Sequence, residues 1–243
     1  MEITKEEKPK RKFQPKPSWI KMKIPTGEKY LEIKSLLKKL NLATVCEEAK
    51  CPNVSECWAG GTATFMLMGE ECTRGCRFCS VKSSNKPAAL DLEEPQKVGS
   101  AIAKMGLEYV VLTSVDRDDL EDAGAGHFAE TIEVIKAGDP DLIVEVLTPD
   151  FSGDRDLIKK VVDAKPDVFA QNVETVERLT RQVRDRRAGY WQTLDLLKYV
   201  KDLAPDRYTK TSIMLGLSET DDEVKQTLKD LRGVGCDVVT FGS

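Results

Sequence analysis

The sequence predicts an α/β fold of parallel strands covered by helices, and two observations carry that expectation. Six short apolar runs recur along the chain, with helix-patterned segments between them. The runs are apolar enough to be buried on both faces, as the strands of a parallel sheet are. A doubly wound sheet and an incomplete barrel satisfy this pattern equally, and periodicity does not choose between them.

In chain order the strand-like runs are ATFMLMG (63–69), YVVLTSV (109–115), LIVEVLT (142–148), DVFAQNV (167–173), TSIMLGL (211–217) and DVVTF (237–241). Between them lie EPQKVGSAIAKMG, GHFAETIEVIKAG, DRDLIKKVVDA, WQTLDLLKYVKDLA and TDDEVKQTLKDLRGVG, whose apolar residues return every three or four positions. Gly or Pro punctuates several of their ends. Residues 63–243 thus form the strand–helix body, and residues 1–62 an extension ahead of it. The first 30 residues are rich in Lys and Pro and poor in apolar side chains, so they are expected to form a solvated arm.

Composition narrows the function classes. Charged residues make up 32%, hydrophobic residues 40%, and the formal net charge is −4, which gives no general pull toward nucleic acid or an anionic membrane. No apolar run is long enough to span a bilayer, and the early glutamates argue against a transit or secretory peptide. A reducing compartment is expected: the cytoplasm, or an organelle if the source is eukaryotic. There, clustered cysteines bind metal or do redox chemistry more often than they form disulfides.

In either architecture the ligand site gathers beyond the carboxyl ends of the strands. The first strand is followed by Cys72, Cys76 and Cys79, the second ends at Ser114 and Asp116, and the third at Thr148 and Asp150. Asn172 and Glu174 follow on the fourth, Gly216 and Glu219 on the fifth. For Thr148, Asp150 and Asp116 a turn or helix cap is an equal expectation. The one histidine, His127, reads as a structural residue at a helix start, and its isolation disfavours a multi-histidine metal site.

Six of the seven cysteines fall into two triplets, Cys46, Cys51 and Cys57 in CEEAKCPNVSEC, and Cys72, Cys76 and Cys79 in CTRGCRFC. Cys236 stands alone and reads as a small buried hydrophobe. A structural zinc site wants four ligands, and neither triplet has a histidine nearby; zinc recruiting four of the six thiols is the lesser alternative. Three thiolates on a 4Fe-4S cube leave one iron without a protein thiolate, and that open iron is a place for chemistry.

The spacing of Cys72, Cys76 and Cys79, with Phe78 before the last, resembles the signature of the radical S-adenosylmethionine (SAM) enzymes. The wider stretches CEEAKCPNVSECWAGGTATFMLMGEECTRGCRFCSVK, YVVLTSVDRDDLEDAGAGHFAETI, LTPDFSGD, NVETVERLT and LGLSETDDEV resemble the lipoyl synthase family. That resemblance implies a partial (β/α)6 TIM-like barrel with an N-terminal cluster-binding extension. It implies two 4Fe-4S clusters: one on Cys72, Cys76 and Cys79 that binds SAM, and an auxiliary one on Cys46, Cys51 and Cys57 that is sacrificed as sulfur source. It implies insertion of sulfur at carbons 6 and 8 of an octanoyl chain on a carrier lysine. Phe78 is then expected near the adenine, Ser114 and Asp116 on the pocket wall, and Asn172 and Glu174 at the ribose or methionyl part. Gly216 is expected where backbone approaches the adenine. The superfamily's fifth-strand pattern is half met, with Gly216 and Glu219 in place but Ser212 and Met214 at the earlier positions.

The implied partners are octanoylated lipoyl carrier domains (2-oxoacid dehydrogenase E2 subunits and the glycine cleavage H protein), an electron donor such as flavodoxin or ferredoxin, and a cluster-supply protein. No nucleic-acid or membrane partner is expected. Members of the family continue beyond the sixth strand to an arginine-serine-serine-tyrosine-arginine motif whose serine binds the auxiliary cluster. This chain stops at VVTFGS, so a missing serine ligand and a labile auxiliary cluster are expected. Two other readings stand beside this one: a radical SAM methylthiotransferase acting on RNA, and a zinc-stapled module with no catalysis.

Overall fold

The computed structural model describes residues 28–48, 51 and 53–242. Helix α1 (Glu28–Leu40) comes first, followed by the two-residue strand β1 (Ala43–Thr44) and two short helices, α2 (Val45–Glu48) and α3 (Val54–Ala59). The arm expected over the first 30 residues lies outside the described residues up to residue 27. Residues 28–30 already belong to α1.

Strand β2 (Thr62–Leu67) opens the body, and β3 (Glu71–Cys72) and β4 (Lys82–Ser83) bracket the cysteine loop. The alternation then runs α4 (Glu94–Met105), β5 (Tyr109–Ser114), α5 (Ala125–Gly138), β6 (Ile143–Leu147), α6 (Arg155–Asp163) and β7 (Val168–Ala170). It ends with α7 (Glu177–Val183), α8 (Tyr190–Leu203), β8 (Tyr208–Met214), α9 (Asp221–Gly233) and β9 (Val238–Gly242). Each of the six expected strands and five expected helices is present within a few residues. Local chemistry sets several boundaries: the Asp154 side chain accepts from the backbone N–H of Asp156 and Leu157 to start α6, and Thr220 with Glu223 forms a capping box at α9.

Strand order decides between the two architectures. The main sheet runs β1-β2-β5-β6-β7-β8-β9, and every pair from β2 onward is parallel. A doubly wound sheet reverses its strand order at a switch point; this one does not, so each strand–helix unit steps the same way round, as in a barrel. Only β1 is antiparallel, and it edges the sheet beside β2.

The described part of the extension has no core of its own. Leu37, Leu42, Val54 and Trp58 pack in one cluster with Phe65, Leu112, Phe128 and Phe169 of the body. A smaller cluster of Val173, Tyr190, Leu194, Leu197, Ile213 and Leu231 fills the space under α8 and α9. Cys236 packs at its edge, half-buried rather than fully buried as its sequence suggested.

Two features fix where the cysteine loop leaves β2. The Glu94 carboxylate accepts from the backbone N–H of Met68 at 2.9 Å, and His127 Nε2 lies 2.6 Å from the same oxygen, so the lone histidine braces the exit of β2 from the first turn of α5. Gly124 has a left-handed φ of 84°, and a Cβ there would strike the Met68 sulfur.

Candidate functional site

Beyond the carboxyl ends of β2, β5, β6 and β7 lies a cavity of about 240 Å³. The sulfur-bearing loop closes one side of it with Cys72, Cys76, Cys79 and Phe78. Ser114 and Asp116 come from the end of β5, Thr148 and Asp150 from β6, and Asn172 and Glu174 from the segment after β7. Sequence reasoning thus named nine of its lining residues from strand ends alone.

Gly216 is not among the lining residues. It is exposed with φ +96° and no atom within 4 Å of where a Cβ would stand, and its N–H donates to the Glu219 carboxylate. In this structure the left-handed turn, rather than a close approach, is what calls for glycine there.

The electrostatics centre on Arg74, between the first two cysteines of the loop and only 4% exposed. Its guanidinium donates to Asp118 at 2.9 and 2.8 Å and to Asp150 at 2.9 Å, and Asp116 lies 3.3 Å away. Burial works against the charge on Arg74, but the hydrogen bonds that it donates to Asp118 and Asp150 outweigh it. Burial also pushes the Asp116 carboxyl up to about 6, against the pull of Arg74.

The thiols are in a setting that favours a metal over a free thiolate. Burial pushes Cys72 up to about 11 and raises Cys76 as well. Backbone N–H groups nevertheless point at both sulfurs: Arg74 and Asp116 donate to Cys72 Sγ at 3.4 Å, and Asp185 donates to Cys76 Sγ at 3.2 Å. Such donors stabilise metal-bound thiolate, and a bound metal deprotonates the thiol outright. Among the described residues, no three thiols, imidazoles or carboxylates stand close enough to share one metal ion. A tetrahedral zinc, with sulfur at about 2.3 Å, needs a tighter set; a cube spreads its thiolates more widely.

Three buried oxygens on this wall have no hydrogen-bond partner among the described residues: Ser114 Oγ, Thr148 Oγ1 and Gln171 Oε1. They stand at the ends of three neighbouring strands, and buried polar atoms without partners mark where a polar ligand belongs. Between them and the loop, Met66, Val81, Val115 and Leu147 supply apolar lining. The donor set therefore fits an iron-sulfur cluster with a partly polar, partly apolar small molecule beside it.

Sequence reasoning missed Arg74, Gln171 and Arg184, which also line the cavity. The readable signal was a charge inside a cysteine triplet, with Asp116, Asp118 and Asp150 just past the strand ends. Arg184 is half-buried, donates to Thr193 Oγ1 at 3.0 Å, and its Nε has no partner among the described residues.

The first triplet lies elsewhere: Cys46 is in α2, Cys57 in α3, and Cys51 on the segment between them. Burial raises the Cys57 thiol, and the neighbouring Cys46 and Cys51 sulfurs add to the rise, so the three feel one another.

A parallel, barrel-ordered sheet with three thiols on its carboxyl rim defines a radical SAM protein, and residues 66–231 match the Radical SAM superfamily. Solved structures agree on the fold: methylornithine synthase has a TM-score of 0.60 at 15% identity, covering 86% of this chain and 63% of its own. A maturase of the FeFe-hydrogenase gives 0.59 at 15% identity, covering 87% of this chain and 57% of its own. Residues 2–51 match the N-terminal domain of lipoyl synthase. Lipoyl synthase of Francisella tularensis subsp. novicida is 58% identical over 227 residues, 93% of this chain and 69% of the relative. The mitochondrial lipoyl synthase of Culex quinquefasciatus is 59% identical over 231 residues, 93% of this chain and 61% of the relative. The chain belongs to the lipoyl synthase family.

Proposed function

We propose that the chain acts as its family name says, inserting sulfur at carbons 6 and 8 of an octanoyl group on a carrier lysine to make the lipoyl group. The observation that carries this reading is the meeting, in one cavity, of three cysteines with three unpartnered buried oxygens. Cys72, Cys76 and Cys79 hold the SAM-binding 4Fe-4S cluster, and Cys46, Cys51 and Cys57 the auxiliary one. The bound cluster and SAM supply the radical chemistry that removes hydrogen from unactivated carbon. The protein's own residues do the rest.

Phe78 offers an aromatic face to the adenine, and Ser114 and Asp116 line the SAM or substrate wall. Asn172 and Glu174 present an amide and a carboxylate to the ribose or methionyl part. Glu174 sits at φ 66°, with its carboxyl raised by burial, and pairs as an isolated bridge with Ile213. Gly216 stays assigned to the adenine side only if the ligand reaches past the described cavity. Water is kept from the reacting carbon by the apolar lining.

On this reading residues 1–62 form the extension that carries the auxiliary cluster, and residues 63–243 the barrel. Among the described residues no helix is long and apolar enough to cross a membrane. The partners are octanoylated E2 or H-protein domains, a flavodoxin- or ferredoxin-like donor and a cluster supplier, met in the cytoplasm or, in a eukaryote, an organelle.

Anaerobic reconstitution with iron and sulfide, followed by SAM, reductant and an octanoyl-lysine peptide, tests this. Deoxyadenosine and a peptide carrying two added sulfurs are the expected products. Methylthio transfer to RNA would establish the methylthiotransferase reading instead, and a colourless zinc protein the stapled-module reading.

A further inference from the structure

The loop between α7 and α8 grips the cysteine loop, although about 110 residues separate them in sequence. The Asp185 carboxylate accepts from the backbone N–H of Gly75 at 2.9 Å, while its own backbone N–H donates to Cys76 Sγ at 3.2 Å. The Arg77 N–H donates to the Val183 carbonyl at 2.9 Å. Arg187 completes the grip: its Nε donates to the Asp185 carboxylate at 2.9 Å, its Nη2 to the Thr73 carbonyl at 2.8 Å, and its Nη1 pairs with Asp118 at 3.2 Å. Asp185 therefore bridges Gly75 and Arg187 on either side of a sulfur.

The three sulfurs differ in what this loop provides. Cys72 receives two N–H donors, from its own loop and from the end of β5. Cys76 receives one, and it comes from Asp185. Among the described residues no N–H donates to Cys79 Sγ. Hydrogen bonds to cluster sulfurs stabilise the reduced, more negative state and so raise the reduction potential.

We infer that Asp185 is a positioning residue for the iron-sulfur centre: its carboxylate, held between Gly75 and Arg187, fixes its own N–H on Cys76 and thereby sets the potential of the cluster. The inference rests on Cys72, Cys76 and Cys79 being the ligands, as proposed above. Asp185 does not line the cavity, so its effect reaches the reaction through the sulfur.

The test is a redox titration of the anaerobically reconstituted chain, read by EPR of the reduced cluster. It is made in a Cys46→Ala, Cys57→Ala background, so that one cluster is observed, and at equal iron content. Asp185→Ala and Asp185→Asn remove the same negative charge, which by itself moves the potential positive, but only the asparagine keeps an acceptor for Gly75. Asp185→Ala is therefore expected to lie negative of Asp185→Asn, lowering the reduced-to-oxidised ratio at a fixed potential about tenfold, which is about 59 mV for a one-electron couple. Equal potentials in the two variants overturn the inference.

If Asp185→Ala takes up no iron, the same titration passes to Arg187→Lys, which keeps the cation, loses the guanidinium fork that braces Asp185 and leaves the Asp185–Gly75 contact. A negative shift there supports the inference, and an unchanged potential overturns it. Loss of iron from both folded variants makes the grip a matter of holding alone and overturns the tuning role. Cys76→Ala keeps the two failures apart: a full cluster in that variant sinks the ligand assignment itself.

Discussion

The two cysteine triplets have the same number of thiols and opposite kinds of support. The loop from Cys72 to Cys79 is fastened from afar: Asp116 and Asp118 stand past β5, Asp150 past β6, and Asp185 past α7. Around Cys46, Cys51 and Cys57 the backbone bonds are local, Cys51 to Cys46, Val54 to Cys51 and Cys57 to Asn53. What anchors that region to the body is packing, with Trp58 buried to 1% exposure and stacked on Tyr30 at 5.3 Å between ring centroids. A loop tied to two strand ends and a helix end takes its shape only when the barrel has formed; short helices and turns take theirs from the neighbouring chain. On the proposed function the difference has a use. A centre that works through every turnover needs ligands held by the whole fold, whereas one that is dismantled and rebuilt is better served by ligands on short elements bonded only to their own neighbours.

The sharpest way to break this comparison is to remove one thiol from each triplet. Cys72→Ala is expected to abolish SAM-dependent deoxyadenosine formation, while Cys57→Ala should leave it measurable and remove sulfur insertion. Deoxyadenosine lost equally in both, at retained fold, would mean that the triplets form one site.

Next comes Arg74. Removing it leaves Asp116, Asp118 and Asp150 facing one another without their cation, and breaking a buried ion pair by deleting one partner costs about 3–5 kcal/mol. Arg74→Met should cost at least that much in denaturant unfolding of the cluster-free protein. Because the same residue organises the second loop, iron retention at Cys72, Cys76 and Cys79 should fall with it. Adding Asp150→Asn should recover part of the loss, and a double variant no better than the single would show that the carboxylates are not the source of the penalty.

Trp58 probes the other side. Trp58→Ala opens a cavity in the core and should cost about 3–5 kcal/mol, with the first triplet losing iron before the second. Trp58→Phe should cost less than Trp58→Ala, because a six-membered aromatic ring still fills most of the site and the indole N–H it removes has no partner among the described residues. A loss in the Phe variant as large as in the Ala variant would reveal a hydrogen bond to the indole in solution.

The barrel strands were legible as short apolar runs between helical stretches; β2, β6 and β7 are buried over consecutive residues, on both faces, whereas β8 alternates and β9, apolar in sequence, is largely exposed. Their order was not, since a monotone and a reversed order use the same runs. Helix α7 went unread: in Glu177–Val183 only Leu179 and Thr180 are buried, too few for a helical stripe. The thiols and the strand-end residues of the cavity could be found by spacing, because ligands at a carboxyl rim follow strands at short, fixed offsets. Arg74 left only the hint of a charge inside a cysteine triplet and Asp185 left none, for the Asp118 and Gly75 that they bond are 44 and 110 residues away and leave no periodic trace. Gly216 shows the limit from the other side: a glycine in a motif does not disclose whether it serves a turn or a close approach.

Helix α9 calibrates all of this, because it carries no cysteine and no cavity residue. Its start depends on Thr220, whose hydroxyl accepts from the Glu223 N–H at 3.3 Å while the Glu223 carboxylate accepts from the Thr220 N–H at 2.8 Å. Thr220→Ala should cost about 1 kcal/mol and leave the iron of both triplets in place. The partner Glu223 adds a pH signature: chiefly through its hydrogen bond with Arg178, its carboxyl is lowered to about 2 from an ordinary 4.5. The ionised form is thus favoured in the folded protein, so its contribution is complete above pH 4.5 and is lost as the pH falls through about 2. Glu223→Gln should flatten that part of the stability profile without touching cluster content at neutral pH. If so small and remote a loss nevertheless strips iron from one triplet, then global stability, rather than the anchoring of each loop, decides which cluster is held.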